Sequence, residues 1–146
     1  MSVETKSSVR LTRIINADRE RVFGAWTQPE QIKKWSAPEG ATVVESLVDL
    51  SGGGAYRLRM ITDDEKYHTA YGTYSEVEPP SRLVYTWDWE EEDSRMGATR
   101  VTVDFVDLGE VTEVTIVHEL FPAEEARDGH EKGWTSCLNR LESLFD

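Results

Sequence analysis

The sequence predicts an α+β protein in which a curved antiparallel sheet of about six to seven strands wraps around one long C-terminal helix. Two observations predict this fold. Most of the chain between positions 42 and 120 consists of short stretches in which apolar and polar residues alternate, separated by turn residues. Residues 122–146 instead repeat apolar side chains at helical spacing. An amphipathic helix that follows a run of strands buries its apolar face on their sheet, and we expect a pocket between the two.

Composition and charge exclude several classes of protein. The chain has 146 residues, of which 38% are hydrophobic and 30% are charged. These values are typical of a soluble globular protein, and we expect one domain over residues 1–146. No apolar run approaches the roughly 20 residues that a membrane span needs. The formal net charge of -12 repels phosphate backbones, so we expect no nucleic-acid partner.

Targeting signals and cysteine usage predict a cytoplasmic location. The N-terminal sequence MSVETKSSVR lacks the apolar core of a signal peptide. The single cysteine, Cys137, excludes an internal disulfide and is typical of a reducing compartment.

Seven stretches are predicted to form strands. Residues 8–15 alternate, after a polar segment 1–7 that is predicted to fray. Six later stretches are also predicted strands: 42–50, 56–61, 66–77, 83–90, 99–105 and 114–120. Four of them alternate in the same way (56–61, 83–90, 99–105 and 114–120), whereas 66–77 is rich in tyrosine and threonine, a composition typical of strands. In the first of these six, Val44 and Val48 share a face only if the strand has no bulge. Glycines at 52–54 predict a flexible connection or a bulge. Short turns between consecutive strands predict an antiparallel meander.

Two short helices are predicted between the first two strands. Asn16 and Asp18 are both good N-caps for a helix over residues 19–27 that has Val22, Phe23 and Trp26 on one face. Pro29 interrupts this helix and can open a second one over residues 30–35, with Ile32 and Trp35 on its apolar side.

The closing helix has one wide apolar face. Its members are Ala126, Gly133, Trp134, Cys137, Leu138, Leu141, Leu144 and Phe145. Two glycines, Gly129 and Gly133, interrupt the pattern, and each costs up to about 1 kcal/mol relative to alanine. We interpret them as positions where another group approaches the helix backbone closely.

Four motifs carry a resemblance to a known family. They are AWTQPEQIKKWSAPEG (25–40), GGAYRLRM (53–60), YGTYSEVEPPSRLVYTW (71–87) and GWTSCLNRLESLF (133–145). In this order they resemble the SRPBCC (START/Bet v 1-like) superfamily, and within it the group named for the C-terminal domain of the activator of Hsp90 ATPase. The resemblance implies a helix-grip fold and a cavity for an apolar or amphipathic small molecule. It implies no particular reaction and no catalytic residues.

Ten residues are predicted to line that cavity, because they lie on the apolar faces of the predicted strands and helices. They are Trp35, Tyr56, Met60, Tyr85, Trp87, Val103, Ile116, His118, Trp134 and Cys137. Trp87 and Trp134 are expected nearest the space between helix and sheet.

Two of these residues have alternative interpretations. His118 is in phase with Val114 and Ile116, so it is either a polar contact or acid–base group for a ligand or a core histidine with satisfied hydrogen bonds. The second interpretation is favoured. Cys137 lacks a visible activating base in the sequence, so a buried structural thiol is expected. His68 and His130 lie outside any comparable apolar row and receive no role.

The sequence predicts no metal ion and no cofactor. The acidic residues Asp88, Glu90, Glu91, Glu92 and Asp93 lack the spaced ligands and glycine of a calcium loop, and a solvated loop is expected there. One cysteine and three scattered histidines offer no pair at zinc-ligand spacing. The arginines at 57 and 59 are expected to face solvent and pair with carboxylates.

Three functions from different classes agree with this pattern. The first is intracellular binding of a hydrophobic or amphipathic small molecule between the C-terminal helix and the sheet. The second is an enzyme of cyclase or hydrolase type, which would need an acid–base pair formed by His118 and a carboxylate or tyrosine. The third is an Hsp90-type co-chaperone or another protein-interaction domain, with a protein partner or a homodimer.

Overall fold

The computed structural model describes residues 8–51 and 53–146, which form seven strands, three α-helices and one short 3₁₀ helix. Segment 1–7, which is predicted to fray, and position 52, which belongs to the predicted flexible connection, lie outside the described residues. The strands are β1 (Ser8–Ile15), β2 (Ala41–Val48), β3 (Ala55–Thr62), β4 (Tyr67–Glu78), β5 (Arg82–Trp89), β6 (Thr99–Asp107) and β7 (Thr112–Glu119). The helices are α1 (Arg19–Thr27), α2 (Pro29–Ile32) and α3 (Glu124–Leu144).

All seven strands form one curled antiparallel sheet in the order β1-β7-β6-β5-β4-β3-β2. Strands β2 to β7 follow each other as the predicted meander, and most of the turns between them are short. The connection between β5 and β6 is longer and contains a short 3₁₀ helix (Glu92–Ser94). Strand β1 lies at the far edge beside β7, with Ser8 opposite Glu119 and Ile15 opposite Thr112. The predicted α+β fold, in which the sheet wraps the C-terminal helix, is confirmed.

A β-bulge in β2 decides which of its valines face the core. The register between β2 and β3 shifts between Val43 and Glu45. As a result Val43 is buried at 6% exposure, whereas Val44 is 47% exposed. Val48 packs against the core, so Val44 and Val48 lie on opposite faces, as expected for a strand that contains a bulge.

Local signals explain the two short helices. The Asp18 carboxylate caps α1 by accepting a hydrogen bond from the Arg21 amide at 2.9 Å. Asn16 does not cap the helix, because its side chain donates to the Phe145 carbonyl. Helix α2 ends at Ile32, earlier than predicted, and Trp35 lies beyond it. The Trp35 indole is nevertheless buried, and it donates to the Ala25 carbonyl at 2.8 Å.

Helix α3 lies across the inner face of the sheet. Trp134, Cys137, Leu138 and Leu141 are its buried residues. The prediction that Leu144 belongs to the buried face is wrong, because Leu144 is 38% exposed. At this end of the helix it is Phe145 that packs against the core. No helix among the residues described is long and apolar enough to cross a membrane.

Candidate binding cavity

A cavity of about 470 Å³ separates the N-terminal half of α3 from the sheet. Its wall is formed mainly by β3, β4, β5 and α3, together with residues of α1, α2 and the segment that follows α2. All five tryptophans of the chain lie on this wall: Trp26, Trp35, Trp87, Trp89 and Trp134.

The register of β4 and β5 gives the cavity a direction. Ala70 pairs with Trp89 at one end, and Tyr74 pairs with Tyr85 at the other. These two ends are about 13 Å apart along the strand. We call the end near Trp89 the mouth, because the residues around it, such as Met96, are only half buried. We call the opposite end, at Tyr74 and Tyr85, the tyrosine end.

Small residues on β4 leave room between these two ends. Three successive inward positions of β4 are the small residues Ala70 and Gly72 and the larger Tyr74. A side chain at position 72 is excluded, because a Cβ there would lie 2.0 Å from the Thr86 carbonyl oxygen. Tyr56, which pairs with Gly72 across β3 and β4, reaches over this glycine, and its hydroxyl donates to the same Thr86 oxygen at 2.5 Å.

The two glycines of α3 also line the cavity. A Cβ built at Gly129 or Gly133 would meet nothing within 4 Å. The interpretation that another group approaches the helix backbone at these glycines is therefore wrong. Because side chains are absent at these two positions, the helix leaves open space along the cavity wall, where Gly129 is exposed and Gly133 is half buried.

His130 connects α3 to the mouth. Its Nε2 accepts hydrogen bonds from the indole nitrogens of Trp89 at 3.0 Å and Trp87 at 3.3 Å. Its Nδ1 lies 2.8 Å from the Ala126 carbonyl oxygen, so the proton is on Nδ1 and the ring is neutral. Burial lowers the pKa of His130, and the hydrogen bond to Ala126 opposes this effect.

His118 lies behind the cavity wall and is fully buried. Its Nδ1 accepts from the Trp134 indole at 3.0 Å, so its Nε2 carries the proton and donates to Thr99 Oγ1 at 2.7 Å. Thr99 Oγ1 in turn donates to the Trp87 carbonyl at 2.6 Å. Burial, reinforced by nearby His130, holds the pKa of His118 well below its usual value. These contacts satisfy both ring nitrogens and fix the orientation of Trp134.

Three neighbouring tyrosines on the cavity wall, Tyr56, Tyr74 and Tyr85, differ in their hydrogen bonds. Tyr56 donates to Thr86, as described above, and Tyr85 Oη accepts from the Trp26 indole at 3.3 Å. Tyr74 forms no hydrogen bond through its hydroxyl with any residue that the structure describes. Burial raises the pKa of all three phenols, so they are neutral donors at physiological pH.

The thiol of Cys137 is buried on the cavity wall. Burial raises its pKa to about 12, although Arg140 opposes the shift. The thiol is therefore protonated and poorly nucleophilic at neutral pH.

The acidic residues from Asp88 to Asp93, expected to form a solvated loop, begin inside β5, and the expectation is wrong for Asp88. Asp88 is buried and accepts hydrogen bonds from the backbone amides of Trp89, Met96 and Gly97. Glu90 pairs with Arg57 at 2.6 Å. Within residues 8–51 and 53–146, no three His, Cys, Asp or Glu side chains are grouped closely enough to hold a metal ion.

The structure places seven of the ten predicted cavity residues on the wall: Trp35, Tyr56, Met60, Tyr85, Trp87, Trp134 and Cys137. Trp87 and Trp134, expected to be nearest this space, have ring centroids 5.7 Å apart. The other three, Val103, Ile116 and His118, lie off the wall and have no exposed surface. They are in the packed core, where neighbouring side chains fill the space.

Sequence reasoning missed several wall residues. The most informative are His68, Tyr74, Trp89, Gly129 and His130. The sequence periodicity could have identified two of them. Trp89 continues the inward row of Tyr85 and Trp87 on β5, and His130 precedes Trp134 by one helical turn. His68 and Tyr74 lie on the same face of β4, but without the register their row could not be related to that of β5.

The fold and its cavity define the class of protein: a helix-grip domain of the SRPBCC (START/Bet v 1-like) type. The chain belongs to the activator of Hsp90 ATPase homolog 1-like family, whose model matches residues 16–146. Membership supports a ligand-binding or co-chaperone-type domain. The family resemblance carried by the four sequence motifs is thus confirmed.

Solved structures share this fold over nearly the whole chain. A crystal structure of a protein from Chromobacterium violaceum is 28% identical, with a TM-score of 0.87, and the match covers 95% of this chain and 96% of that one. The AHSA1 protein from Silicibacter pomeroyi is 25% identical, with a TM-score of 0.84 over 94% of this chain and 96% of that one. A protein from Nitrosomonas europaea, 21% identical with a TM-score of 0.82 over 97% and 96% of the two chains, shares the fold. No curated protein matches the chain.

Proposed function

We propose that this protein binds an apolar or amphipathic small molecule in the cavity between α3 and the sheet. The observation that carries the proposal is a space of about 470 Å³ lined by all five tryptophans. This volume is in the range of small-molecule sites, which are mostly apolar with a few polar groups. An unfilled apolar cavity forfeits dispersion contacts, and a bound ligand would restore them.

The ligand-binding residues that we propose are those of the wall. They include the seven predicted residues that lie there, to which we add Trp26, Tyr74, Trp89 and His130. The paired tryptophans Trp87 and Trp89, whose ring centroids are 5.5 Å apart, would contact the ligand at the mouth.

The geometry of His118 does not favour the enzyme hypothesis in the form that the sequence suggested. That hypothesis needs His118 to face the substrate together with a carboxylate or a tyrosine. Both ring nitrogens instead bond to Trp134 and Thr99, and the ring lies off the cavity wall.

Native mass spectrometry beside a denatured extract of the same sample tests the proposal first. We expect a co-purifying compound in the wild type that is absent from Gly133→Leu, because leucine at this position extends into the cavity. Asn139→Leu is the matched control, since Asn139 is exposed on the same helix, and it should retain the compound.

A thermal-shift screen of apolar aromatic compounds covers the case in which the ligand is lost during purification. Binding raises the unfolding temperature with ligand concentration and should also change tryptophan emission. If no compound shifts the wild type, or if Gly133→Leu and the wild type respond equally, the cavity is not the binding site.

A further inference from the structure

At the tyrosine end, two tyrosine hydroxyl groups have no acceptor among the residues that the structure describes. Tyr74 is 5% exposed, and its hydroxyl bonds to no residue in the described part of the chain. Tyr85 is 6% exposed and accepts from Trp26, but its own proton has no acceptor among the described residues. The ring centroids of the two tyrosines are 5.7 Å apart. Both tyrosines lie on the cavity wall, so both phenol protons are available to an acceptor atom of a ligand in the cavity.

The wall around these donors carries no formal charge. Among the described residues that line the cavity there is no lysine, arginine, aspartate or glutamate. The lone pair of His130 that faces Trp87 and Trp89 is already engaged. A buried carboxylate or ammonium group without a partner is strongly unfavourable, and the net charge of -12 adds a repulsive field for anions.

The walls between the tyrosine end and the mouth are aromatic. Trp87 packs against Trp134 at 5.7 Å and against Tyr56 at 6.4 Å between ring centroids. The polar groups of these three rings are already used, because Trp87 donates to His130, Trp134 to His118 and Tyr56 to Thr86. This part of the cavity therefore offers aromatic surface and no free hydrogen-bonding group of its own.

On the basis of the function proposed above, we propose that the ligand is a neutral aromatic compound with a carbonyl oxygen that accepts hydrogen bonds from Tyr74 and Tyr85. Its ring system lies along Trp87 and Trp134, and its oxygen reaches the tyrosine end. A carbonyl oxygen has two lone pairs, so one atom can accept from both phenols.

The affinity of three naphthalene probes of similar shape tests this inference. They are 2-acetylnaphthalene, 2-isopropenylnaphthalene, in which a CH₂ group replaces the carbonyl oxygen, and 2-naphthoate, which is charged. Titration followed by tryptophan emission should give about tenfold tighter binding of the ketone than of the hydrocarbon, because each hydrogen bond contributes modestly. The anion should bind most weakly of the three.

Single phenylalanine variants locate the effect. Tyr74→Phe removes a hydroxyl that bonds to no described residue, so the fold should be retained and the preference for the ketone reduced severalfold. Tyr85→Phe should reduce the preference as well. Tyr71→Phe is the control, because Tyr71 is exposed on the outer face of the same strand as Tyr74 and lies off the cavity wall, and this variant should keep the wild-type preference for the ketone.

Other outcomes separate this inference from the proposed function. Equal binding of the ketone and the hydrocarbon would leave the cavity as a binding site but overturn the tyrosine acceptor site. Tightest binding of 2-naphthoate would overturn the neutral ligand. A ketone preference that survives in Tyr74→Phe and Tyr85→Phe would place the acceptor elsewhere. Absence of binding by all three probes would count against both the inference and the proposed function for aromatic ligands.

Discussion

The two halves of α3 face the same sheet but form different interfaces with it. In the C-terminal half, Leu138 and Leu141 are 1% and 0% exposed and belong to the main core cluster. In the N-terminal half, exposed Gly129 and half-buried Gly133 border a cavity of about 470 Å³ instead. One helix on one sheet thus forms a close-packed core at one end and open space at the other.

Both halves belong to the same helix and the same sheet, so the fold alone does not explain the difference. The volume of the side chains on α3 decides where a cavity remains between helix and sheet. Aromatic side chains from β5 line the open half, but they pack edge to face on one another, as Trp87 and Trp89 do. His130 fixes this arrangement by accepting from both indoles. Hydrogen bonds and ring contacts between wall residues therefore hold the wall of the cavity in place, although no side chain of α3 fills the space.

The largest expected effect belongs to the packed half. Leu141→Ala should lower the free energy of unfolding by about 2–5 kcal/mol, because it removes a fully buried side chain and leaves a void. Urea denaturation measures this change. Leu144→Ala is the control, since Leu144 is 38% exposed, and it should change stability by less than about 0.5 kcal/mol. Equal midpoints for the two variants would contradict the assigned packing face.

A smaller effect is expected from the histidine behind the cavity wall. His118→Phe retains a ring of similar size but leaves the Trp134 indole without its acceptor, at a cost of about 1–3 kcal/mol at pH 7.5. Unfolding in urea at that pH measures it. A binding defect without loss of stability would indicate instead that His118 acts on the ligand.

The same variant should change the pH dependence of stability. The pKa values of His118 and His130 are lowered in the folded protein, so the unfolded chain binds more protons just below its own histidine pKa of about 6.5. The contribution of the two histidines to stability is fully present above this pH, and it is lost progressively as the pH falls from 7.5 to 5.5. The slope is at most about 1.4 kcal/mol per pH unit for each histidine, and it should be shallower in His118→Phe. A wild-type stability that is constant over this range would contradict the prediction.

The smallest expected effect is a change of stability at Gly133, and its sign tests whether the N-terminal half of α3 borders open space. Gly133→Ala should stabilise the protein by about 0.5–1 kcal/mol, because alanine favours the helix and its Cβ would meet nothing within 4 Å. Thermal unfolding without ligand measures the change. Gly72→Ala is the matched control with the opposite sign, since its Cβ would lie 2.0 Å from the Thr86 oxygen. A destabilised Gly133→Ala would show that the space beside α3 is filled.

Much of the fold could be predicted from periodicity. The residue bounds of β1 and α1 match the prediction, because alternation and an Asp18 cap are local signals. Periodicity did not predict three other features: the end of α2, the exposure of Leu144 and the bulge in β2. Each depends on which surface of the sheet is available nearby, and this is a property of the assembled molecule.

The candidate site shows the same division. Sequence alone determined the strand and helix pattern, the family and the aromatic content of the inward rows, since these follow from local periodicity and residue type. Only the tertiary structure decided that Gly129 and Gly133 face empty space, that His130 accepts from two tryptophans and that Tyr74 lies beside Tyr85. These relations depend on strand register and on the rotation of α3 over the sheet, which are set by contacts between residues far apart in the chain.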